Sequence, residues 1–112
     1  MSKDKQMTTQ GLKLDQGKPR LELLLDFGKA LQEVGKVTTF GAAKYAPGNW
    51  LLVNNGQARY QAAMIRHLLQ SNTQELDDET ELDHLAHVAW NALAVLELKL
   101  RQIDRDEAVG EN

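Results

Sequence analysis

The sequence contains no cysteine, and no apolar run in it approaches the length of a membrane span. Without cysteine, disulfide bonds, thiolate zinc sites and a cysteine nucleophile are excluded, and an intracellular location is expected. Without a long apolar run, no membrane-spanning helix is expected, and the polar first ten residues do not have the pattern of a signal peptide. The sequence also has no internal repeat and no low-complexity tract.

The chain also lacks a strong charge of either sign. Its 112 residues include 13 Lys and Arg and 16 Asp and Glu, which gives a formal net charge of −3 at pH 7. That balance argues against non-specific binding to duplex nucleic acid or to an anionic membrane, although a local group of cations could still bind a small anion. At this length we expect one domain, near the size at which oligomerisation often completes the core.

Acidic and imidazole side chains are concentrated in residues 75–91. An acidic loop comes first, formed by Glu75, Asp77, Asp78 and Glu79. An apolar helix is predicted to follow, with Thr80 as its N-cap. His84, His87 and Asn91 then share one face of that helix. Carboxylates and imidazoles at one helix end are typical ligands of a divalent metal ion, whereas acids that only complement the helix dipole are the structural alternative.

Three helices are predicted from the spacing of apolar residues. They cover residues 27–44, 57–71 and 83–106. Asp26 is the predicted N-cap of the first helix. Residues 51–56, between the first and second helices, are predicted to form either a short strand or an extended connector ending in an Asn-Gly turn.

The packing of these helices is also predicted from their patterns. Glycines predict close helix packing in the first helix, at Gly28, Gly35 and Gly41. Apolar residues of the second helix are expected to point inward, namely Ala62, Ile65, Leu68 and Leu69. The third helix is apolar on nearly every side from Leu85 to Leu100, which two other helices can hardly cover. We therefore expect a homo-oligomer, a dimer or a tetramer, formed through residues 83–106.

The resulting fold class is all-α, a small bundle of three main helices completed by homo-oligomerisation. Residues 1–14 are predicted to form a flexible arm, residues 15–106 the single helical domain, and residues 107–112 a flexible tail.

Cations occur at two places that could hold phosphate. Lys18 and Arg20 flank Pro19 in a short stiff loop, where a turn with solvated charges is the alternative. Arg59 and Arg66 lie two turns apart on the second helix and could form a bidentate clamp. Surface arginines are common, so neither pattern alone is specific.

Five sequence blocks, taken together, resemble a family of small, mostly phage-encoded proteins. The blocks are DxGKPRL (15–21), FGAAKYAPGNW (40–50), RYxxAxxRHL (59–68), ExDxET (75–80) and HLAHVAWNALAVLELKL (84–100). That family is the N-terminal type of dATP/dGTP diphosphohydrolases, related in role to the MazG-like all-α pyrophosphatases. The resemblance implies hydrolysis of dATP or dGTP to a monophosphate and pyrophosphate, in phage nucleotide-pool metabolism in the cytoplasm of a bacterial host.

The resemblance also implies a site. Mg²⁺ or Mn²⁺ would be held by residues among Glu75, Asp77, Glu79, His84, His87 and His67. The substrate would be bound by Lys18, Arg20, Lys44, Tyr45, Asn49, Trp50, Arg59, Arg66 and Asn91. A metal-polarised water would attack the α-phosphorus, with Glu79 as the expected base and Glu75 and Asp77 as the other catalytic carboxylates. Trp50 or Tyr45 would face the base or sugar, although a tryptophan after a turn is also a common core residue.

The sequence departs from the patterns of these related proteins in two places. The second helix has no ExxE pair of the MazG-like kind and offers His67 instead. The usual glycine of the acidic loop is replaced by Glu81. Two other functions therefore remain open: a His-and-Asp metal phosphohydrolase with different products, built on His67, His84 and His87 around Asp83, and a phage oligomer that sequesters a nucleotide without hydrolysis.

Overall fold

The computed structural model describes residues 11–12, 14 and 16–110. Over these residues the chain forms three α-helices and two short 3₁₀ helices, and no strand. The helices are α1 (Gly28–Lys44), α2 (Gly56–Gln70) and α3 (His84–Gly110), and the 3₁₀ helices are Leu21–Phe27 and Asn49–Leu52. The predicted all-α class with three main helices is confirmed. Most of the predicted N-terminal arm, and residues 111 and 112 of the predicted tail, lie outside the described residues.

α1 begins directly where the first 3₁₀ helix ends. Asp26 therefore lies inside the 3₁₀ helix, and Phe27 occupies the N-cap position without a side-chain capping bond. The predicted N-cap at Asp26 is wrong, because the continuous helical backbone leaves no non-helical residue there. Val37 is the buried apolar residue of α1. A Cβ added to any of the three α1 glycines would meet nothing within 4 Å, so the close packing predicted there is absent from the described chain.

The connection from α1 to α2 is helical, and the strand alternative for residues 51–56 is wrong. Asn49–Leu52 forms a 3₁₀ helix, and a turn at Asn55, with φ of 59°, leads into α2. Gly56 is the glycine that lies close to a neighbour, since its Cβ would lie 3.1 Å from Leu98 of α3. The described residues offer no strand to pair with the segment, so a helical connector satisfies its backbone locally.

α2 packs mainly against α3, but through a different face from the predicted one. Tyr60, Met64 and His67 are partly buried there. Ile65, Leu68 and Leu69 of the predicted inward face remain 46%, 49% and 63% exposed. The prediction was wrong because the surface that α3 offers to α2 carries imidazoles and aromatic rings, which the apolar pattern alone does not identify.

The acidic loop joins α2 to α3 and is closed by backbone hydrogen bonds. The Asp77 N–H donates to the Leu82 carbonyl at 2.8 Å, and the His84 N–H donates to the Glu75 carbonyl at 3.0 Å. Asp83 caps α3, because its Oδ1 accepts the Leu85 N–H at 2.8 Å. Thr80 is therefore not the helix cap.

Glu81 lies in the acidic loop with φ of 60°, in the left-handed region. A side chain is strained there, and glycine is not. We expect Glu81→Gly to raise the free energy of unfolding by about 1 kcal/mol, because it removes this strain. Urea denaturation followed by circular dichroism measures the change. Glu81→Ala is the matched control, because it removes the charge but keeps the Cβ, and an equal gain in Glu81→Ala would show that charge rather than backbone conformation is responsible.

The core of the described chain is very small. Its buried apolar residues are Val37, Ala86 and Ala94. The face of α3 opposite α2 is apolar yet exposed: Leu85 57%, Leu93 54%, Leu96 51%, Leu100 48% and Ile103 40%. Every residue from 99 to 110 is exposed. Among the described residues, no helix is both long enough and apolar enough to cross a membrane.

Candidate metal site and substrate pocket

One cleft of about 810 Å³ collects most of the predicted site residues. It lies between the end of α1, the Asn49–Leu52 helix, α2, the acidic loop and the first turns of α3. The predicted residues that line it are Lys44, Tyr45, Asn49, Trp50, Arg59, Arg66, His67, Asp77, Glu79, His87 and Asn91. Lys18, Arg20 and Glu75 do not line the cleft, and His84 is buried behind it.

Three of the six predicted metal ligands converge at one end of the cleft. His67 from α2, Asp77 from the acidic loop and His84 from α3 place one ligand atom each within 4.8 Å of one another. The two Nδ1 atoms of His67 and His84 are 2.9 Å apart, and His67 Nδ1 is 3.9 Å from Asp77 Oδ1. Two nitrogens bound at about 2.1 Å to one ion at right angles would be separated by about 3.0 Å. The spacing therefore fits a shared metal ion. Without an ion, the same spacing allows a hydrogen bond between the two rings when one Nδ1 is protonated and the other is not.

The protonation states suit metal binding. Burial, followed by the neighbouring His87 charge, lowers the pKa of His67 below its ordinary value. Burial also lowers the pKa of His87. Near neutral pH these imidazoles are therefore uncharged, and a neutral imidazole nitrogen is the form that binds metal. His84 is 1% exposed, and its Nε2 has no hydrogen-bond partner within the described chain.

Asp77 is held as a carboxylate. Burial opposes its ionisation, but hydrogen bonds from the Thr80 N–H, the Thr80 hydroxyl and the Glu79 N–H outweigh burial and lower its pKa. All three donors contact Oδ2, at 2.9, 3.2 and 3.0 Å. Oδ1 therefore remains the oxygen directed at His67.

The other three predicted ligands have different partners. Glu79 Oε2 accepts a 2.7 Å hydrogen bond from Lys44, and this bond raises the pKa of Lys44. His87 Nε2 lies 2.7 Å from the Thr80 hydroxyl. Glu75 has an exposed side chain and contributes only its carbonyl to the start of α3.

The predicted cations separate into two groups. Arg59 and Arg66 line the cleft on one stripe of α2, and Lys44 faces them from the end of α1. Arg20 instead forms an exposed 2.9 Å ion pair with Glu22, outside the cleft. The structure therefore brings three cations into the same cleft as the candidate metal ligands.

Aromatic rings form the other end of the cleft. Trp50, Tyr60 and Trp90 pack edge to face, with ring centroids 5.5 to 6.3 Å apart. The Tyr60 hydroxyl donates to the Trp50 carbonyl at 2.7 Å, and burial raises the Tyr60 pKa. Tyr60 and Trp90 were not predicted as site residues. The sequence offered one signal that Tyr60 is a site residue, namely its position on the same stripe of α2 as His67.

Comparison with known protein families gives a match over most of the chain. A family model described as "dATP/dGTP diphosphohydrolase, N-terminal" matches residues 8–108. No curated protein and no solved structure matches the chain. The match covers α1, α2, α3 as far as residue 108, and every residue that lines the cleft.

Proposed function

The chain belongs to the dATP/dGTP diphosphohydrolase N-terminal family, and from this premise we propose that it hydrolyses purine deoxynucleoside triphosphates to a monophosphate and pyrophosphate. The observation that supports the proposal is the content of the cleft. Two candidate metal ligands, three cations and an aromatic end share one space of about 810 Å³, within the roughly 300–1,000 Å³ of small-molecule sites, and the third candidate ligand is buried behind it. Nucleotide-pool metabolism of a phage in the cytoplasm of its bacterial host is the proposed setting.

His67, Asp77 and His84 are the proposed metal ligands. Two imidazoles and one carboxylate suit Mn²⁺ better than Mg²⁺, because Mg²⁺ prefers oxygen ligands and retains several waters. The bound ion would supply Lewis-acid polarisation of a phosphate oxygen and a more acidic water. The proposed ligand set does not include the other three predicted ligands, Glu75, Glu79 and His87, because their side chains have other partners or are exposed.

The residues of the cleft have distinct proposed tasks toward a triphosphate. Arg59 and Arg66 would neutralise the phosphate oxygens and the departing pyrophosphate, and Lys44 would join them. Glu79 would accept a proton from the attacking water, which requires Lys44 to exchange its bond with Glu79 for one with phosphate.

The base and sugar would occupy the aromatic end of the cleft. Trp50 and the exposed Tyr45 would contact the base or sugar, and Asn49 or Asn91 would read a purine edge. Asn91 donates its side-chain N–H to the His87 carbonyl at 2.8 Å, so its amide is already oriented.

We also propose that the chain acts as a homo-oligomer through α3. Three buried apolar residues among those described are too few to stabilise a domain of this length, whereas the exposed leucines of α3 form one continuous apolar face. A dimer or a tetramer would cover that face.

The His-and-Asp metal phosphohydrolase is the second candidate, favoured by the ligand set itself. The carboxylate that joins His67 and His84 is Asp77, not Asp83, which caps α3 instead. This enzyme would use the same cleft but release a terminal phosphate or the whole triphosphate. The products distinguish the two reactions.

The test is hydrolysis of each dNTP and NTP with Mn²⁺, with Mg²⁺ and with chelator, the products being separated by ion exchange. We expect monophosphate and pyrophosphate from dATP and dGTP, greater activity with Mn²⁺, and none with chelator. Glu79→Gln should lower kcat by about 100- to 10,000-fold, as expected for loss of a general base.

Asp78→Asn is the matched control for this loss. Asp78 lies in the same loop, accepts a hydrogen bond from Gln74 and does not line the cleft, so its rate should be unchanged. Inorganic phosphate or triphosphate as product would favour the second candidate. Tight nucleotide binding without any product would instead identify a sequestering protein.

A further inference from the structure

The Thr80 side chain contacts two residues of the proposed metal site and its surroundings, Asp77 and His87. Its Oγ1 lies 2.7 Å from His87 Nε2 and 3.2 Å from Asp77 Oδ2, and it accepts the Leu82 N–H at 3.2 Å. A threonine in an exposed acidic loop would ordinarily meet water. This one is partly buried and bonded on three sides.

The direction of these hydrogen bonds follows from the chemistry of the partners. An ionised Asp77 only accepts, and the geometry lets the Thr80 hydroxyl donate to its Oδ2. The Thr80 oxygen is then left to accept, and we expect His87 to donate its Nε2–H to it. The alternative, with the proton toward His87, would place the Thr80 oxygen 3.2 Å from the carboxylate with no proton between them. The chain of donors therefore runs from His87 to Thr80 to Asp77.

His87 transmits this constraint to a metal ligand. Its ring stacks on the His67 ring, with centroids 4.4 Å apart and planes 10° apart. His87 is only 8% exposed, so its ring has little freedom to turn once Nε2 is bonded. The plane of the His67 imidazole is thereby fixed from one side by His87.

We propose that Thr80 is a positioning residue of the metal site, whose hydroxyl orients the Asp77 carboxylate directly and the His67 imidazole through His87. The proposal rests on the metal site proposed above. It gives His87 the role of a stacked support for His67 instead of a ligand, and it explains why Asp77 Oδ1, rather than Oδ2, is directed at the imidazoles. Groups that fix the orientation of a ligand contribute to metal affinity without touching the ion.

The test is titration of the full-length chain with Mn²⁺ by calorimetry. Thr80→Val keeps the side-chain shape but removes the hydroxyl, and we expect it to weaken Mn²⁺ binding by about 10- to 100-fold, with Thr80→Ser within about threefold of the parent. Thr73→Val is the matched control, because among the described residues the Thr73 hydroxyl bonds to the Gln70 carbonyl and not to the site, and the Mn²⁺ affinity of this variant should not change. Unchanged affinity in Thr80→Val, or an equal loss in Thr80→Ser, would overturn the proposal.

A measurement on the metal-free protein separates this proposal from the proposed function. Long-range ¹H–¹⁵N spectra of the imidazoles report which nitrogen of His87 carries the proton. We expect Nε2–H in the parent and in Thr80→Ser, and a mixture of tautomers in Thr80→Val. If the parent bound no Mn²⁺, the metal-dependent function would fail, whereas the His87 tautomer would still decide the role of Thr80. A parent His87 with its proton on Nδ1 would contradict the proposed hydrogen-bond direction.

Discussion

Replacing His67 with alanine is expected to abolish Mn²⁺ binding and hydrolysis together. His67 Nδ1 lies 2.9 Å from His84 Nδ1 and 3.9 Å from Asp77 Oδ1. Replacing His67 would therefore leave the ion with only two of its three proposed protein ligands. We expect at least about a 1,000-fold loss of affinity, beyond the roughly 10- to 100-fold typical of residues that only orient a ligand. Calorimetric Mn²⁺ titration and the hydrolysis assay measure the two effects.

The rise in Tm caused by Mn²⁺ tests the same prediction without measuring hydrolysis. Mn²⁺ at 100 times its dissociation constant should stabilise the parent by about 2.7 kcal/mol, which corresponds to a rise in Tm of about 10 °C. His67→Ala should show no rise. Asp77→Asn, which retains its shape, should also lose the stabilisation, whereas Asp78→Asn should keep it. A full Mn²⁺-dependent rise in Tm in His67→Ala would show that the metal binds elsewhere.

The residue types of the candidate metal site could be named from the sequence, but their arrangement could not. His67, Asp77 and His84 were all among the predicted ligands, because imidazoles and carboxylates are dense in these blocks. The pattern does not say which atoms converge, since that depends on how α2 packs on α3. Once the helices are packed, Glu79 bonds to Lys44 and His87 to Thr80 instead, and the Glu75 side chain is exposed.

The Thr80 cap prediction failed for a reason that local sequence rules do not contain. A Thr followed three residues later by an acid fits a helix start. Here Glu81 adopts a left-handed conformation, and a bridge between Leu76 and Asp83 closes the loop. The helix therefore starts three residues later than a Thr80 cap implies, and Thr80 is free to bond to side chains.

The predicted inward face of α2 failed for a related reason. Apolar patterning identifies the residues that need cover, but not whether the same chain provides it. Within the described residues, α3 packs against the face of Tyr60 and His67 and leaves Ile65, Leu68 and Leu69 uncovered. The prediction that these apolar residues point inward is therefore wrong for the single described chain.

Placing two carboxylates on the exposed face of α3 is expected to prevent assembly. Leu96 and Leu100 are 51% and 48% exposed in one chain, at the centre of the apolar face. Burying a leucine contributes about 1.5–3 kcal/mol, and burying an unpaired carboxylate costs more than this gain. The double variant Leu96→Asp/Leu100→Asp should therefore raise the dissociation constant of the oligomer by at least about 1,000-fold. Sedimentation equilibrium measures the mass against the 12.6 kDa of one chain.

If the proposed assembly stabilises the fold, its loss should also reduce helicity, because the core of the described single chain is small. Residues 99–110 are exposed along their whole length, and an isolated helical segment this short is marginal in water. Gln102→Asp is the matched control, since Gln102 is exposed on another face of the same helix and should leave mass and helicity unchanged. A parent protein that sediments as a fully helical single chain would contradict the proposed oligomer. A double variant that keeps the parent's mass would place the interface on another surface, and the exposed apolar residues of α2 would then be the next to change.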